Sequence, residues 1–438
     1  MCGYMEKLSQ KKIEQNSTIL FDSVGCKLNK YELEVMRAQS ETLGMVPLVK
    51  QKTGDVVVLN TCSVTNSASA DSRRMIRKYR KHNENAYIVV TGCYSQTDLD
   101  EVKELGVDLI LNNMEKAKFF DIIKKDINDL DELNLQKQSI MSSVKFQSRP
   151  FLKIQDGCDA YCSYCIIPRA RGRSRSVDKK EVLSQIEELS KTYPELVITG
   201  VNLGQYEQEK DYGLLALLKD MVAIDTVKKL RISSLEPNDL TPEFLNFMVE
   251  NDKICKHIHL PLQGGEDQLL KDMRRNYTIE QYSEKLKMAR KLCPQICLGA
   301  DIMVGFPTES ESCFDKVKEN LLNLEIDYFH VFTFSARDKT VANNMQEKVE
   351  PQIKKERNRW VTSLSSKRKK DFLERHIGKT FDAVVERGGK TKGFMKALTD
   401  NYIPVIFETT EDLALKFVKI RIDEVGTDKV FGTLLKVY

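Results

Sequence analysis

The sequence predicts an α/β protein in three parts: an N-terminal parallel α/β sheet domain, a central partial (βα)6 barrel and a small C-terminal β-barrel. Three observations carry this. Apolar, β-branched runs alternate with helical stretches from Thr18 onward, the pattern of parallel strands covered on both faces. The stretch KKDINDLDELNLQKQSIMSSVKFQ (124–147) is polar and loses that periodicity, which marks a boundary. After a long basic helical stretch, about sixty residues of short strands and turn residues close the chain, as in a small barrel. The expected domains are residues 17–140, 146–375 and 376–438.

The chain has 438 residues, 41% hydrophobic and 30% charged, an ordinary globular composition. Its polar start, MCGYMEKLSQKKIEQNS, lacks the apolar core of a signal peptide. No apolar run is long enough to span a bilayer, so a cytoplasmic protein without a membrane segment is expected. Eleven cysteines in that compartment point to metal or catalysis rather than to a disulfide framework. A net charge of +4 is too small to argue for a nucleic-acid partner, which must be sought in local clusters.

In the first domain, TILFDSVGC (18–26), DVVVLNTC (55–62), AYIVVTGC (86–93) and VDLILNN (107–113) read as strands. YELEVMRAQSETLG reads as a helix that stops at Gly44. Cys26, Cys62 and Cys93 each close a strand. Strand C-termini of a parallel sheet share one edge, where open α/β folds bind ligands. Singly, each cysteine reads as a small buried hydrophobe; three at equivalent strand ends read better as a three-thiol cluster site. The following helix carries Arg73, Arg74, Arg77, Lys78, Arg80 and Lys81, which is either a solvated face or a surface for RNA.

Beyond the boundary, six strands are expected: FLKIQDG, ELVITGVN, KLRISSLEP, HIHLPLQGG, CLGADIMVGFP and DYFHVFTFS. Six βα units make a partial barrel, short of the eight of a closed one. The first strand runs into GCDAYCSYC, where Cys158, Cys162 and Cys165 lie within eight residues. Iron–sulfur clusters are normally held by four thiolates; three leave one iron with an open coordination position. The alternative is a three-cysteine zinc site with a fourth ligand, but zinc loops pair with a second Cys/His pair and no histidine lies near this one. The other strand ends offer polar groups to a shared cleft, among them Gly200, Ser234, Glu236, Gln263 and Gly305. Arg169, Arg171, Arg173 and Arg175 follow the cysteine loop and read as a solvated run or as anion contacts. Cys255, Cys293, Cys297 and Cys313 read as structural. The terminal strands KTFDAVVE, GFMKALTDN, YIPVIFE and LKFVKIRIDEVGTDKVFGTLLKV suit a small barrel of the kind that binds oligonucleotides.

Cys158-x3-Cys162-x2-Cys165 resembles the signature of radical S-adenosylmethionine (SAM) enzymes, and the order of parts over nearly the whole chain is similar to the methylthiotransferases. VGCKLNKYELE, NTCSVTNSASADSRR and QDGCDAYCSYCIIPRARGRSRS are most like the MtaB-type branch. The resemblance implies two 4Fe–4S clusters, one on Cys158, Cys162 and Cys165 that binds SAM, and an auxiliary one on Cys26, Cys62 and Cys93 that carries the transferred sulfur. A 5′-deoxyadenosyl radical would remove hydrogen from carbon 2 of threonylcarbamoyl-adenosine beside the tRNA anticodon, and a methylthio group would be inserted there. It also implies a C-terminal TRAM domain, SAM contacts near Gly200, Ser234, Glu236, Gln263 and Gly305, and the anticodon stem-loop of tRNA as partner. An electron donor such as a flavodoxin or ferredoxin, a sulfur donor and a monomeric, cytoplasmic enzyme complete the expectation. Thr333 and Ala336 stand where the family often has proline. The alternatives are MiaB-type modification of isopentenyl-adenosine, RimO-type modification of a ribosomal-protein aspartate, and a non-catalytic Fe–S redox sensor that binds RNA.

Overall fold

The fold is that of a computed structural model, which describes residues 13, 16–48, 51–119, 121–122, 148–207, 212–346, 348–388, 393–427 and 429–438. The whole of the polar boundary stretch 124–147 lies outside the described residues. The chain packs as two units. The first holds residues 1–145 together with 157–159 and 165–173, and the second holds the remainder.

The first unit contains a five-stranded parallel sheet. Its strands are β1 (Thr18–Ser23), β2 (Val46–Leu48), β3 (Val56–Thr61), β4 (Tyr87–Gly92) and β5 (Leu109–Leu111), in the order β2-β1-β3-β4-β5. Every residue of β3 and β4 is buried, because alternate side chains enter opposite cores. Ile19, Val56, Val58 and Val89 pack with Leu33 and Met36 of the helix Lys27–Thr42. Leu20, Val57, Leu59 and Val90 pack with Met75 and Ile76 of the helix Asn66–His82. That is why these strands are apolar throughout instead of alternating. Thr65 caps the second helix by accepting a hydrogen bond from the Ala68 N–H at 3.1 Å. The first helix stops at Leu43 and Gly44, as its sequence predicts, with Gly44 at a φ of +72°. The short edge strand β2 carries too few residues to be read from periodicity.

In the second unit, β6 (Phe151–Lys153), β9 (Glu195–Thr199) and β10 (Lys229–Ile232) pair in parallel; between β6 and β9 in the chain, β7 (Gln155–Asp156) and β8 (Arg175–Ser176) form a short antiparallel pair. A second parallel set joins β11 (His257–His259), β12 (Cys297–Val304) and β13 (Tyr328–Thr333). Parallel bridges Leu230↔Ile254 and Ser234↔His259 connect the two sets, giving six parallel strands in chain order as expected. Helices fill the crossovers, several with built caps: Thr278 and Gln281 form a reciprocal capping box at the helix Ile279–Leu292.

The helix Pro351–Glu374 leads to five strands, β14 (Thr380–Val385), β15 (Phe394–Thr399), β16 (Pro404–Glu408), β17 (Phe417–Val425) and β18 (Val430–Val437). They close a barrel in the order β14-β15-β16-β18-β17. Closure removes the free strand edges that short sheets otherwise expose. Its core of Phe381, Val405, Phe407, Val418 and Ile420 is continuous with Cys297 and Tyr328 of β12 and β13. Buried Arg231 of β10 donates to the carbonyls of Thr399 (3.0 Å) and Asp400 (3.2 Å), so the terminal barrel is bonded to the six-stranded sheet. Cys255, Cys293 and Cys297 are buried and Cys313 is half-buried.

Candidate active site

In the first unit, Cys26 and Cys62 directly follow the loop or strand end of β1 and β3, and Cys93 follows β4. Two glycines shape this edge. Gly25 and Gly92 have φ values of +113° and +109°, a region L side chains rarely adopt. A Cβ on Gly25 would lie 2.7 Å from Cys62 Cβ, and one on Gly92 would lie 2.2 Å from the Thr61 carbonyl oxygen. The backbone before Cys26 and before Cys93 thus passes against the end of β3, where Cys62 sits.

Electrostatics tie the three thiols into one site. Burial pushes the Cys62 thiol up to about 11, and the neighbouring Cys93 and Cys26 push in the same direction. Burial likewise raises Cys93, while Arg171 and Lys116 pull it down. Two buried thiols, Cys62 and Cys93, and an exposed one, Cys26, with cations alongside are a donor set that a cationic iron–sulfur cluster satisfies, since ligating thiols bind as thiolates.

The cations belong to a buried polar network. Arg171 donates to Glu32 Oε1 at 2.7 Å and to Asn29 Oδ1 at 2.8 Å. Lys116 reaches Glu32 Oε2 at 2.5 Å and Asn60 Oδ1 at 3.2 Å. Asn29 in turn donates to the carbonyls of Val24 and Thr61, and its Oδ1 lies 3.9 Å from Cys26 Sγ. Asn113 Nδ2 lies 3.9 Å from Cys93 Sγ. Arg171 is only 2% exposed, which corrects the reading of Arg169–Arg175 as a solvated run or a set of anion contacts: this member is an internal ion-pair partner. Arg175 pairs with Asp156 and Arg173 with Asp159. On the helix Asn66–His82, Arg73, Arg74 and Arg80 pair with Glu101, Asp71 and Asp108, whereas Arg77, Lys78 and Lys81 are exposed and line one groove with Arg73 and Arg74.

Cys158, Cys162 and Cys165 lie on the loop after β7, all half-buried. The Cys158 N–H donates to the Gly172 carbonyl at 3.2 Å. In the second unit, Arg275 donates to Cys162 Sγ at 3.3 Å, to Tyr277 Oη at 3.1 Å and to Glu236. Nothing in the sequence marks Arg275 beyond its place in the pair Arg274-Arg275, so its part was not legible there.

The rim residues sit where expected along the chain. Gly200 follows β9, Ser234 and Glu236 follow β10, Gln263 follows β11 and Gly305 follows β12. The loop after β9 is held by Gln155, whose Oε1 accepts from the N–H groups of Val201 and Asn202, both at 2.9 Å. Gly305 donates its N–H to Glu309 at 2.9 Å, and buried Arg357 pairs with that carboxylate at 2.6 Å. Glu236 is linked to the cysteine loop through Arg275 and Cys162.

Six parallel strands with a three-cysteine loop after the first of them are the architecture of radical SAM proteins. Residues 152–321 match the family model "Radical SAM superfamily" and residues 18–112 match "Uncharacterized protein family UPF0004". The radical S-adenosylmethionine methyltransferase TsrM from Kitasatospora setae shares the fold, with a TM-score of 0.55 over 76% of this chain and 77% of that one at 14% identity. The threonylcarbamoyladenosine tRNA methylthiotransferase MtaB of Bacillus subtilis (strain 168) is 34% identical over 96% of this chain and 97% of its own length. That of Aquifex aeolicus (strain VF5) is 33% identical over 92% of this chain and all of its own. The chain belongs to the radical SAM methylthiotransferase family, transferases that work with SAM and 4Fe–4S clusters. Among the described residues, no helix is long and apolar enough to cross a membrane.

Proposed function

We propose that the chain inserts a methylthio group at carbon 2 of threonylcarbamoyl-adenosine beside the anticodon of tRNA. The observation that carries this reading is the pair of cysteine triads on a chain matched end to end by relatives named for that reaction. Cys158, Cys162 and Cys165 hold one 4Fe–4S cluster, and Cys26, Cys62 and Cys93 hold the other. When bound, the clusters supply the electron that cleaves SAM and the iron that carries the sulfur.

The chain's own residues position these groups. Arg275 donates to the sulfur of Cys162 and orients Glu236 toward the rim. Gly200, Ser234, Glu236, Gln263 and Gly305 cradle SAM at the strand ends. Arg171 and Lys116 offset the charge of the thiolates of Cys62 and Cys93, while Asn29 and Asn113 approach the sulfurs of Cys26 and Cys93. Arg77, Lys78 and Lys81 meet phosphates of the tRNA. The domains are 17–140 for the auxiliary cluster, 146–375 for radical chemistry and 376–438 for a TRAM barrel. The protein works as a cytoplasmic monomer, with a flavodoxin- or ferredoxin-like electron donor and a separate sulfur donor.

The test is to rebuild both clusters anaerobically, add SAM, reductant and tRNA carrying threonylcarbamoyl-adenosine, and analyse the nucleosides by mass spectrometry. The expected product is the 2-methylthio derivative. No product from protein with competent clusters contradicts the proposal. A product formed only on isopentenyl-adenosine, or only on a ribosomal-protein aspartate, moves the chain to another branch. Clusters that leave SAM intact support the RNA-binding redox sensor instead.

A further inference from the structure

Three metal-ligating side chains in the six-stranded sheet take no part in either cysteine triad. His259 ends β11, Asp301 is the fifth of eight residues in β12, and His330 is the third residue of β13. The register sets Asp301 opposite His330, and His259 opposite Gly299. Gly299 and Asp301 are two residues apart, so all three side chains leave one face of the sheet. Gly299 itself vacates the space that the Tyr328 ring fills; a Cβ there would lie 2.2 Å from the ring.

His259 Nε2 lies 2.9 Å, and His330 Nδ1 3.4 Å, from the same Asp301 oxygen. All three donor atoms lie within 4.8 Å of one another. Metal–ligand bonds of about 2.0–2.2 Å put neighbouring ligands about 3.0–3.5 Å apart, so the two His–Asp separations match the edges of a coordination polyhedron. Side-chain exposure rises from 8% at His259 through 21% at Asp301 to 55% at His330. The ligands are therefore gathered on the protein side and the opposite side is open to water.

Behind the site, His259 Nδ1 lies 3.3 Å from Tyr328 Oη, which lies 2.9 Å from His257 Nε2. A partner on the second ring nitrogen fixes the orientation of a ligating histidine. Burial works to raise the Asp301 carboxyl, yet hydrogen bonds from His259 and His330 outweigh it and hold it well below the usual carboxylate range.

We infer that His259, Asp301 and His330 form a mononuclear site for a borderline divalent metal ion, zinc or ferrous iron, separate from both cysteine triads. Two imidazoles and one carboxylate suit such ions better than magnesium or calcium, which prefer oxygen alone. Three protein ligands leave positions for water or another oxygen ligand on the exposed side. Without a metal, the same atoms close as a hydrogen-bonded trio in which His259 Nε2–H and His330 Nδ1–H donate to Asp301, and the experiment separates the two.

Protein with both clusters loaded is dialysed against a modest excess of zinc, then against buffer, and its iron and zinc are counted. The expected result is one retained zinc per chain. His330→Ala and Asp301→Asn each lose it with iron content at the wild-type value, and His330→Ala also keeps the wild-type melting midpoint. Zinc-edge X-ray absorption shows nitrogen and oxygen ligands only. Wild-type protein that retains no zinc, variants that retain it equally, or sulfur neighbours at about 2.3 Å overturn the inference. Because the His330 side chain is more than half exposed, its removal keeps the fold and leaves the test decisive even where Asp301→Asn disturbs packing.

Discussion

Arg171 and Glu32 are 139 residues apart in sequence and 2.7 Å apart in space, with both side chains buried. Lys116 shares the same carboxylate. Removing one member of a buried ion pair costs about 3–5 kcal/mol when the remaining charge is left uncompensated; with Lys116 still on Glu32, the loss of Arg171 costs less than that. Arg171→Leu should therefore lower the melting midpoint and reduce the iron retained by the first unit. Iron content and thermal unfolding, measured on the same preparations, check this; a variant with wild-type values for both would show that the network supports neither fold nor cluster.

The two triads should fail differently. Cys158→Ala is expected to abolish formation of 5′-deoxyadenosine from SAM. Cys62→Ala is expected to keep that cleavage and lose methylthio insertion. Quantifying 5′-deoxyadenosine and modified nucleoside in one reaction distinguishes the roles, and full modification by either variant contradicts the ligand assignments.

Gly92→Ala places a Cβ 2.2 Å from the Thr61 carbonyl oxygen and 2.6 Å from its nitrogen. The backbone conformation alone costs a non-glycine residue about 1–3 kcal/mol, and the clash adds to it. The substitution should destabilise the β3–β4 edge and cost the auxiliary cluster. Chemical denaturation and iron analysis would both register it, whereas Gly106→Ala, at a positive φ but with open space around it, should leave the iron in place.

Asp239 gives a pH-dependent prediction. Burial, assisted by the charge of Glu236, pushes its carboxyl up to about 6, above the value of about 3.9 expected in the unfolded chain. With the folded value the higher one, its contribution to stability is fullest below about pH 4 and is lost as the pH rises through about 6. Asp239→Asn should thus raise the melting midpoint relative to wild type at pH 7.5 and narrow that gain at pH 5. An equal gain at both values would assign the effect to packing instead of ionisation.

For the tRNA surface, Arg77→Ala or Lys81→Ala should weaken binding across different tRNAs alike. The slope of log affinity against log salt should fall by about one for each phosphate that is no longer neutralised. Arg74→Ala serves as a comparison, because Arg74 already pairs with Asp71 on its own helix. Unchanged affinity and salt slope in the first two variants would remove this helix from the interface.

The strands and the cysteine edge were legible in the sequence because both rest on local signals. Buried parallel strands are apolar at every position, and Gly25-Cys26 and Gly92-Cys93 mark places where the backbone turns at a strand end. The closed terminal barrel followed from short runs such as TFDAVV and PVIFE between turn residues. The rest depends on distant partners. Arg171 sits in a run of arginines that reads as solvated, and only Glu32 and Asn29, far earlier in the chain, make it internal. Arg275 is anonymous until Cys162 and Glu236 are placed beside it. His259, Asp301 and His330 come from three strands, so their convergence depends on register, which no single strand reveals. The two-residue strands β7 and β8 lie below the length at which a period of two can be seen.

The iron and sulfide content of anaerobically rebuilt protein bears most directly on the claim that one chain holds two three-cysteine clusters. About eight irons and eight sulfides per chain are expected for two 4Fe–4S clusters. Replacing Cys26, Cys62 and Cys93 together with alanine should leave about four, with SAM cleavage intact, and replacing Cys158, Cys162 and Cys165 should leave the other four without cleavage. Four irons in the wild-type protein, or eight in either triple variant, would contradict the account.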